Sequence, residues 1–113
     1  MTDTFTSTSA AIAALNDAFR RAGPCEDWLF TAGVREHGPA FVAASVEAVM
    51  SYVDFNPDND PHREHDLGVF KVAGVKVWFK IDYYDETLSW GSPDPTDPSV
   101  TRRVLTILLP SED

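Results

Sequence analysis

Positive charge, cysteine and long hydrophobic runs are all scarce in this sequence. Its 113 residues include nine Lys and Arg against eighteen Asp and Glu, which gives a formal net charge of −9. Proteins that bind nucleic acids directly do so chiefly through Lys and Arg contacts to phosphates, so this balance argues against direct binding of DNA or RNA. It favours a partner with a basic protein surface, such as a nucleic-acid-binding host complex.

The lone cysteine and the lack of membrane-length segments restrict the compartment. Cys25 has no second cysteine in the chain with which to form a disulfide, which fits a reducing compartment. No apolar run approaches the roughly 20 residues that a membrane-spanning helix requires. The N-terminal segment is a Ser/Thr tract without the basic and apolar regions of a secretion signal. We therefore expect a cytoplasmic protein with no membrane association.

Hydrophobic periodicity predicts one α+β domain. Residues 1–8 are expected to form a polar tail and residues 9–113 a single domain. Apolar residues recur at helical spacing over residues 9–22, which a Gly-Pro pair terminates, and over residues 39–53, where proline stands in the first turn. Ser9 is the expected N-cap of the first helix.

Four segments have the composition and alternation of β-strands: residues 28–31, Leu67–Val72, Val75–Tyr84 and residues 102–109. With the helices they give the order α-β-α-β-β-β. We expect both helices to pack on one face of a mainly antiparallel four-stranded sheet, because that arrangement buries both apolar stripes. An edge strand, either Leu67–Val72 or residues 102–109, would offer a surface for a homodimer.

The two strands separated by a short Ala-Gly link predict a hairpin of definite register. With a two-residue loop, Gly68 lies opposite Phe79 and leaves room for its ring, whereas Lys71 lies beside Lys76. Ala73 is unfavourable in a turn that needs positive φ, so a bulged turn is the alternative.

Several polar segments carry a family resemblance. They read LNDAFR (residues 15–20), DFNPDNDPHREHDLG (54–68), KIDYYD (80–85), and GSPDPTDP followed by TRRVLTI (91–98 and 101–107). In these segments the chain closely resembles the DUF3768 family of small bacterial proteins of unknown function. The resemblance runs from about Ile12 to the C-terminus. It implies an alphaproteobacterial context, in which such proteins often lie on plasmids and other mobile elements. Arg63 stands where the family commonly has glycine, so we expect no positive φ there.

The loop before the hairpin, residues 54–66, permits two interpretations. His62, His65 and Asp66 offer nitrogen and oxygen ligands of the kind that transition metals take, and they are the alternative metal-binding or acid–base residues. Asp, Asn and Pro equally hold turns through side-chain bonds to backbone N–H groups. The second interpretation requires neither metal nor cofactor.

Alternation along Val75–Tyr84 places Tyr83 among the buried residues. Its hydroxyl therefore needs a partner, which a carboxylate from a neighbouring loop could supply. The opposite face of the strand carries Trp78, Lys80, Asp82 and Tyr84. If exposed, these side chains form a protein-binding patch; if a loop covers them, they form a buried ion-paired network.

The acidic charge, together with the mobile-element context that the resemblance implies, favours a non-enzymatic acidic interaction protein of mobile elements. It would bind a basic surface and inhibit a nucleic-acid-based host defence complex, as anti-CRISPR or anti-restriction proteins do. No cofactor and no catalytic residue are expected. The expected partner-binding residues are Asp58, Asp60, Glu64, Asp66, Trp78, Lys80, Asp82, Tyr84, Asp85, Asp94 and Asp97. The alternatives are a small metal-binding or hydrolase-like enzyme that uses residues 58–66, and an antitoxin-like regulatory subunit.

Overall fold

Three α-helices and a four-stranded sheet make up the part of the chain that the computed structural model describes, namely the backbone of residues 4–113 and the side chains of residues 8–113. In chain order the elements are α1 (Thr4–Arg21), β1 (Trp28–Phe30), α2 (Ala32–Glu36), α3 (Pro39–Ser51), β2 (Leu67–Val72), β3 (Val75–Tyr84) and β4 (Arg102–Leu108), and a 3₁₀ turn follows at Pro110–Glu112. The α+β class is confirmed, with one helix more than the sequence pattern predicted.

The extra helix, α2, corrects the predicted element order to α-β-α-α-β-β-β. It has five residues, of which Val34 is buried. A segment shorter than two helical turns shows no periodic apolar stripe by which it could be recognised. Glu112, near the C-terminus, holds its first turn, because the carboxylate accepts hydrogen bonds from the Thr31 hydroxyl (2.6 Å) and the Gly33 N–H (2.9 Å).

Helix α1 begins earlier than predicted. It starts at Thr4, so residues 4–8 of the expected tail are helical and Ser9 is not the N-cap. The Ser/Thr tract contains no Gly or Pro that would stop a helix, and Ser9 is itself buried. Residues 1–3 of the expected tail lie outside the described residues.

The sheet is mixed, with strand order β1-β4-β3-β2. Strand β3 pairs antiparallel with β2 and β4, whereas β1 pairs parallel with β4. The expectation of a mainly antiparallel sheet is therefore wrong for β1. Strands β1 and β4 are far apart in the sequence, so no hairpin fixes their relative direction, and apolar alternation reports only which face of a strand is buried. Strand β2 is an edge strand as predicted, but β4 is interior.

The β2–β3 hairpin has the predicted register. Gly68 pairs with Phe79, and Lys71 pairs with Lys76. A Cβ at Gly68 would overlap the Phe79 ring, so this position requires glycine for steric reasons. The turn has two residues, Ala73 at φ 50° and the following glycine at φ 80°, and the bulged alternative is wrong.

The helices cover one face of the sheet and enclose a single apolar cluster. Its buried members are Trp28, Val34, Phe41, Val49, Tyr52, Val77, Phe79, Ile81, Leu105 and Ile107. The inward side chains of β3 and β4 thus pack against those of α2 and α3, so the apolar side chains of the helices are buried against the sheet. Among the described residues, no helix combines the length and the apolar character needed to cross a membrane.

Candidate functional site

Two acidic loops lie at the same end of the sheet. The first acidic loop, residues 54–66, leads into β2, and the second acidic loop, residues 85–99, connects β3 to β4. Because β3 is antiparallel to both neighbours, the start of β2, the end of β3 and the start of β4 lie together. The opposite end of β2 and β3 carries the hairpin turn, near which Lys71 pairs with Lys76. The two loops are acidic, but β4 begins at the same end with Arg102 and Arg103.

The acidic end collects carboxylates from both loops and from β3. They are Asp54, Asp58, Asp60, Glu64 and Asp66 from the first acidic loop, and Asp82, Asp85, Glu86, Asp94 and Asp97 from β3 and the second acidic loop. The only Lys or Arg within the two loop sequences is Arg63. Most of the expected partner-binding residues thus come from this one end of the molecule.

A buried polar network ties both acidic loops to the sheet. At its centre is the fully buried side chain of Asn16 in α1. Its amide donates to the Tyr83 hydroxyl (2.8 Å) and the Glu64 carbonyl (2.9 Å), and its oxygen accepts a hydrogen bond from Nε of Arg103 (2.7 Å). Arg103 also donates to the Pro95 carbonyl (2.6 Å). The first loop is held through Glu64 and the second through Pro95.

The hydroxyl of Tyr83 has the carboxylate partner that the sequence predicted. It donates to Oε1 of Glu64 at 2.8 Å. Burial raises the pKa of Tyr83 far above its usual value; the hydrogen bond from Asn16 acts against this effect and the one to Glu64 adds to it. The phenol therefore remains a hydrogen-bond donor. Burial lowers the pKa of Arg103, against the opposing influence of Tyr83 and Glu64, and its guanidinium lies 5.3 Å from the Tyr83 ring centroid.

A second cluster joins α1 to the first acidic loop. Arg20 is fully buried and donates to Asp17 (2.8 Å) and to the Val49 carbonyl (2.7 Å). Nδ1 of His65 lies 3.1 and 3.0 Å from the two carboxylate oxygens of Asp17. The His65 ring stacks in parallel on Phe55 with 4.1 Å between centroids. The imidazole is thus fixed both in its plane and by its Nδ1 edge.

The electrostatics of this cluster keep Asp17 ionised. Burial acts to raise the pKa of Asp17, but hydrogen bonds from Arg20 and His65, together with their charges, lower it below the usual value. An ionised Asp17 accepts a hydrogen bond from Nδ1–H of His65, and in that tautomer of the imidazole the lone pair is on Nε2. Nε2 lies 3.9 Å from Oδ2 of Asp60, beyond hydrogen-bond distance.

Two non-glycine residues of the first acidic loop have left-handed backbone conformations, Arg63 at φ 59° and His65 at φ 57°. The expectation of no positive φ at Arg63 is wrong. Each such residue costs about 1–2 kcal/mol. The buried carboxylate of Asp60 offsets this cost, because its Oδ1 accepts the Glu64 N–H (2.9 Å) and the His65 N–H (3.2 Å). The side chain of Asp60 therefore holds the turn that glycine would adopt without strain.

The remaining carboxylates of the first acidic loop differ in accessibility. Asp58 is exposed, whereas Glu64 and Asp66 are half-buried and Asp60 is only 5% exposed. Burial raises the pKa of Asp66, and the negative charge of Glu64 raises it further. Among the four expected partner-binding carboxylates of this loop, Asp58 has the most accessible side chain.

In the second acidic loop, carboxylates stabilise local turns. Each of Asp85, Asp94 and Asp97 accepts hydrogen bonds through Oδ1 from the hydroxyl and the backbone N–H of the residue two positions later, at 2.6 to 3.1 Å. The hydrogen bonds from the hydroxyls and backbone N–H groups lower the pKa of Asp85 and of Asp97. This geometry agrees with the turn-holding interpretation of Asp residues and leaves them charged at the surface.

The helix-free face of β3 is neither open nor fully covered. Trp78, Lys80, Asp82 and Tyr84 are all half-buried. Nζ of Lys80 lies 3.6 Å from Oδ1 of Asp113, so the C-terminal residue supplies part of the cover. The largest exposed aromatic side chain of the described residues is Trp90 in the second acidic loop, at 75% exposure. Trp90 is not among the residues expected from the sequence, although a tryptophan between serine and glycine in a polar loop was the available signal.

The residues of the alternative metal site lie apart from one another in their side-chain contacts. Among the described residues, no group of three or more His, Cys, Asp or Glu side chains is arranged to hold a metal ion. His62 is exposed, and His65 is turned towards Asp17 instead of its sequence neighbour Asp66. These three residues therefore do not converge on one point.

Two residues of α1 take part in the site without having been selected as candidates. Asn16 bonds to Tyr83 and Arg103, and Asp17 contacts His65 of the first acidic loop. The signal for Asn16 was its spacing, because Ile12, Asn16 and Arg20 recur every fourth residue and all three are buried. A polar residue in a buried helical row must have partners in the fold.

Comparison with known proteins identifies one family. A family model described as a protein of unknown function (DUF3768) matches residues 30–112. Since this match covers most of the 113 residues, the chain belongs to the DUF3768 family. No curated protein and no solved structure matches the chain.

Proposed function

We propose that this member of the DUF3768 family is a cytoplasmic, non-enzymatic interaction protein of mobile elements, and that its acidic end binds a basic protein surface. The proposed target is a nucleic-acid-based host defence complex, which the protein would inhibit in the manner of an anti-CRISPR or anti-restriction protein. Carboxylates at the acidic end would occupy positions that such a complex uses for phosphates. The formal charge of −9 would accelerate the encounter with a basic surface.

The observation that carries this proposal is the common anchoring of the two acidic loops. Asn16 bonds to Glu64 in the first loop and, through Arg103, to Pro95 in the second. A surface whose loops are already fixed loses less conformational entropy on binding, so a larger share of the contact free energy appears as affinity. The carboxylates of both loops would therefore be presented in a preorganised arrangement.

An exposed aromatic side chain lies within the same surface. Trp90 belongs to the second acidic loop and is 75% exposed. The backbone of this residue is fixed, since the Trp90 carbonyl accepts a hydrogen bond from the Asp85 N–H at 2.8 Å. Tryptophan is enriched among the residues that dominate binding energy at interfaces. Trp90 would provide an apolar anchor beside the carboxylates.

Strand β2 would be the pairing edge if the protein forms a homodimer. This edge is already partly occupied, because the Val69 N–H donates to the Tyr52 hydroxyl at 3.2 Å. A second copy would have to pair with the rest of the strand.

The test is competition with nucleic acid on a purified complex. A CRISPR effector complex or a restriction enzyme is mixed with labelled target DNA, and DNA binding is followed by fluorescence anisotropy as the protein is added. The double variant Asp58→Asn/Glu86→Gln removes two exposed charges from the acidic end. Neither side chain makes a hydrogen bond or ion pair in the described part of the chain. We expect about a 10-fold loss of inhibition.

A matched control separates site charge from net charge. Glu36→Gln/Glu47→Gln removes two exposed charges from α2 and α3, so its net charge equals that of the test variant. We expect this control to inhibit like the unaltered protein, and the inhibition by both to weaken as salt is raised. No effect on DNA binding by any tested complex, or equal losses in the two double variants, would contradict the proposal.

A further inference from the structure

A cavity of about 330 Å³ lies against the strained part of the first acidic loop. It is lined by Phe55, Asn56, Pro57, Asp60, Pro61, Arg63 and His65. A second cavity of about 360 Å³ shares Arg63 and His65 and continues along α1 to Asp17. These two residues therefore stand between the two cavities. A volume of this size matches the lower end of the range for small-molecule pockets.

The imidazole of His65 is oriented as a hydrogen-bonding group of the first cavity. Its Nδ1 edge contacts Asp17, which lines the second cavity, and its Nε2 edge is directed towards Asp60, which lines the first. Stacking on Phe55 prevents the ring from rotating freely. No hydrogen bond to Nε2 occurs among the described side chains. The geometry is that of a carboxylate–histidine pair whose second nitrogen is available to a ligand.

Arg63 supplies a positive charge at the same place. Its side chain is exposed and forms no ion pair with the residues that the structure describes. Its backbone has the unfavourable φ of 59°, and strained residues of this kind cluster at ligand sites. Guanidinium groups bind phosphate and carboxylate through paired hydrogen bonds. The cavity therefore combines a cation with the acceptors Nε2 of His65 and Oδ2 of Asp60.

We propose that this cavity binds a small hydroxylated anion, with its phosphate or carboxylate on Arg63 and its hydroxyl donating to Nε2 of His65. A bare anion would be repelled by the Asp60 carboxylate, 3.9 Å from Nε2, whereas a neutral hydroxyl placed there is not repelled and donates its one proton to Nε2. The hydroxyl and the anionic group are thus both needed. The cavity belongs to the first acidic loop, but this proposal does not rest on the proposed function.

Histidine side-chain NMR tests the site directly. Imidazole ¹⁵N signals are followed while sn-glycerol 3-phosphate or D-glycerate is added, with inorganic phosphate and glycerol as ligands that each lack one group. His37, stacked on Phe41 away from the cavity, serves as the internal reference. We expect saturable shifts of the His65 Nε2 signal with one or both hydroxylated anions, and at least about 10-fold weaker binding of phosphate or glycerol alone. The two hydroxylated anions distinguish a phosphate ligand from a carboxylate ligand.

Two variants complete the test. Arg63→Gly removes the cation and suits the positive φ, so it is expected to fold and to bind about 10-fold more weakly. Arg35→Gln removes an exposed charge from α2 and should bind unchanged. The proposal fails if no ligand produces a saturable shift at concentrations up to about 10 mM, which would saturate a site with a Kd of about 1 mM. Equal binding by Arg63→Gly and the unaltered protein would also overturn it.

Discussion

The two acidic loops have similar compositions but are stabilised in different ways. Both are rich in Asp and Pro and both reach the acidic end of the sheet. In the first, Asp60 is buried, Glu64 contacts α1 and β3, and His65 contacts Asp17. In the second, Asp85, Asp94 and Asp97 bond to residues two positions away. The first loop is part of the packed structure, whereas the second is a series of local turns.

This difference separates structural carboxylates from available ones. A carboxylate that accepts buried backbone N–H groups cannot be removed without leaving those groups unsatisfied. A carboxylate in a surface turn can be replaced with little effect on the fold. We therefore expect the first loop to govern stability and the second to govern surface charge. Four changes of decreasing size test this contrast.

The largest effect is expected for Asn16→Ala, which disconnects both loops. The change leaves Nε of Arg103 and the Glu64 carbonyl without a partner in a buried setting. We expect a loss of about 3 kcal/mol in the free energy of unfolding, measured by urea denaturation. Amide exchange should accelerate in both loops and remain slow in the β2–β3 hairpin. A loss below about 1 kcal/mol would mean that the loops are held by other contacts.

The next effect compares one carboxylate from each loop. Asp60→Ala removes the acceptor of the Glu64 and His65 N–H groups, and we expect about 2 kcal/mol of destabilisation. Asp97→Ala removes a surface acceptor whose partner, Ser99, can bond to water, so its unfolding midpoint should hardly move. Thermal and urea unfolding of both variants measure the contrast. Equal losses would show that burial does not distinguish the loops.

The sequence predicted the local features of the fold and missed the long-range ones. The hairpin register and a loop carboxylate as the partner of Tyr83, which is Glu64, follow from alternation and from the need of a buried hydroxyl for an acceptor. The parallel pairing of β1 with β4 and the contact of His65 with Asp17 join residues 77 and 48 positions apart. No propensity or spacing rule reports such distances. The positive φ at Arg63 was missed because the avoidance of positive φ by non-glycine residues considers each residue alone. In the structure, the side chain of Asp60 imposes the turn.

Two residues of the first acidic loop have nearly the same positive φ, but replacing each with glycine should change stability in opposite directions. Arg63 and His65 both have positive φ, but only His65 has a side chain bonded to the fold. We expect Arg63→Gly to stabilise the protein by about 0.5–1 kcal/mol, since relief of strain exceeds the entropy that glycine adds to the unfolded chain. His65→Gly should destabilise it by about 2 kcal/mol, because the Asp17 bond and the Phe55 stack are lost.

Leu88 provides the matching change in the second loop. It has φ 60° and is exposed, so Leu88→Gly should give a gain similar to that of Arg63→Gly. Urea denaturation of the three glycine variants measures these differences. A destabilising Arg63→Gly would mean that the Arg63 side chain contributes to the fold.

The smallest expected effects are the stability changes caused by neutralising one carboxylate in each loop, and near neutral pH they should have opposite signs. Burial and the charge of Glu64 raise the pKa of Asp66 above 3.8, so this group contributes stability below the unfolded pKa and loses it as pH rises through the folded pKa. Asp66→Asn should therefore stabilise the protein near neutral pH.

The hydrogen bonds from Ser99 lower the pKa of Asp97 below 3.8, so the contribution of Asp97 to stability is present above 3.8 and is lost as pH falls through the folded pKa. Asp97→Asn should slightly destabilise the protein near neutral pH. Both differences should vanish once the pH is below the folded pKa of each carboxyl, and urea midpoints measured from about pH 7 down to about pH 2 would reveal them. If the two variants shift stability in the same direction near neutral pH, the electrostatic contrast between the loops is wrong.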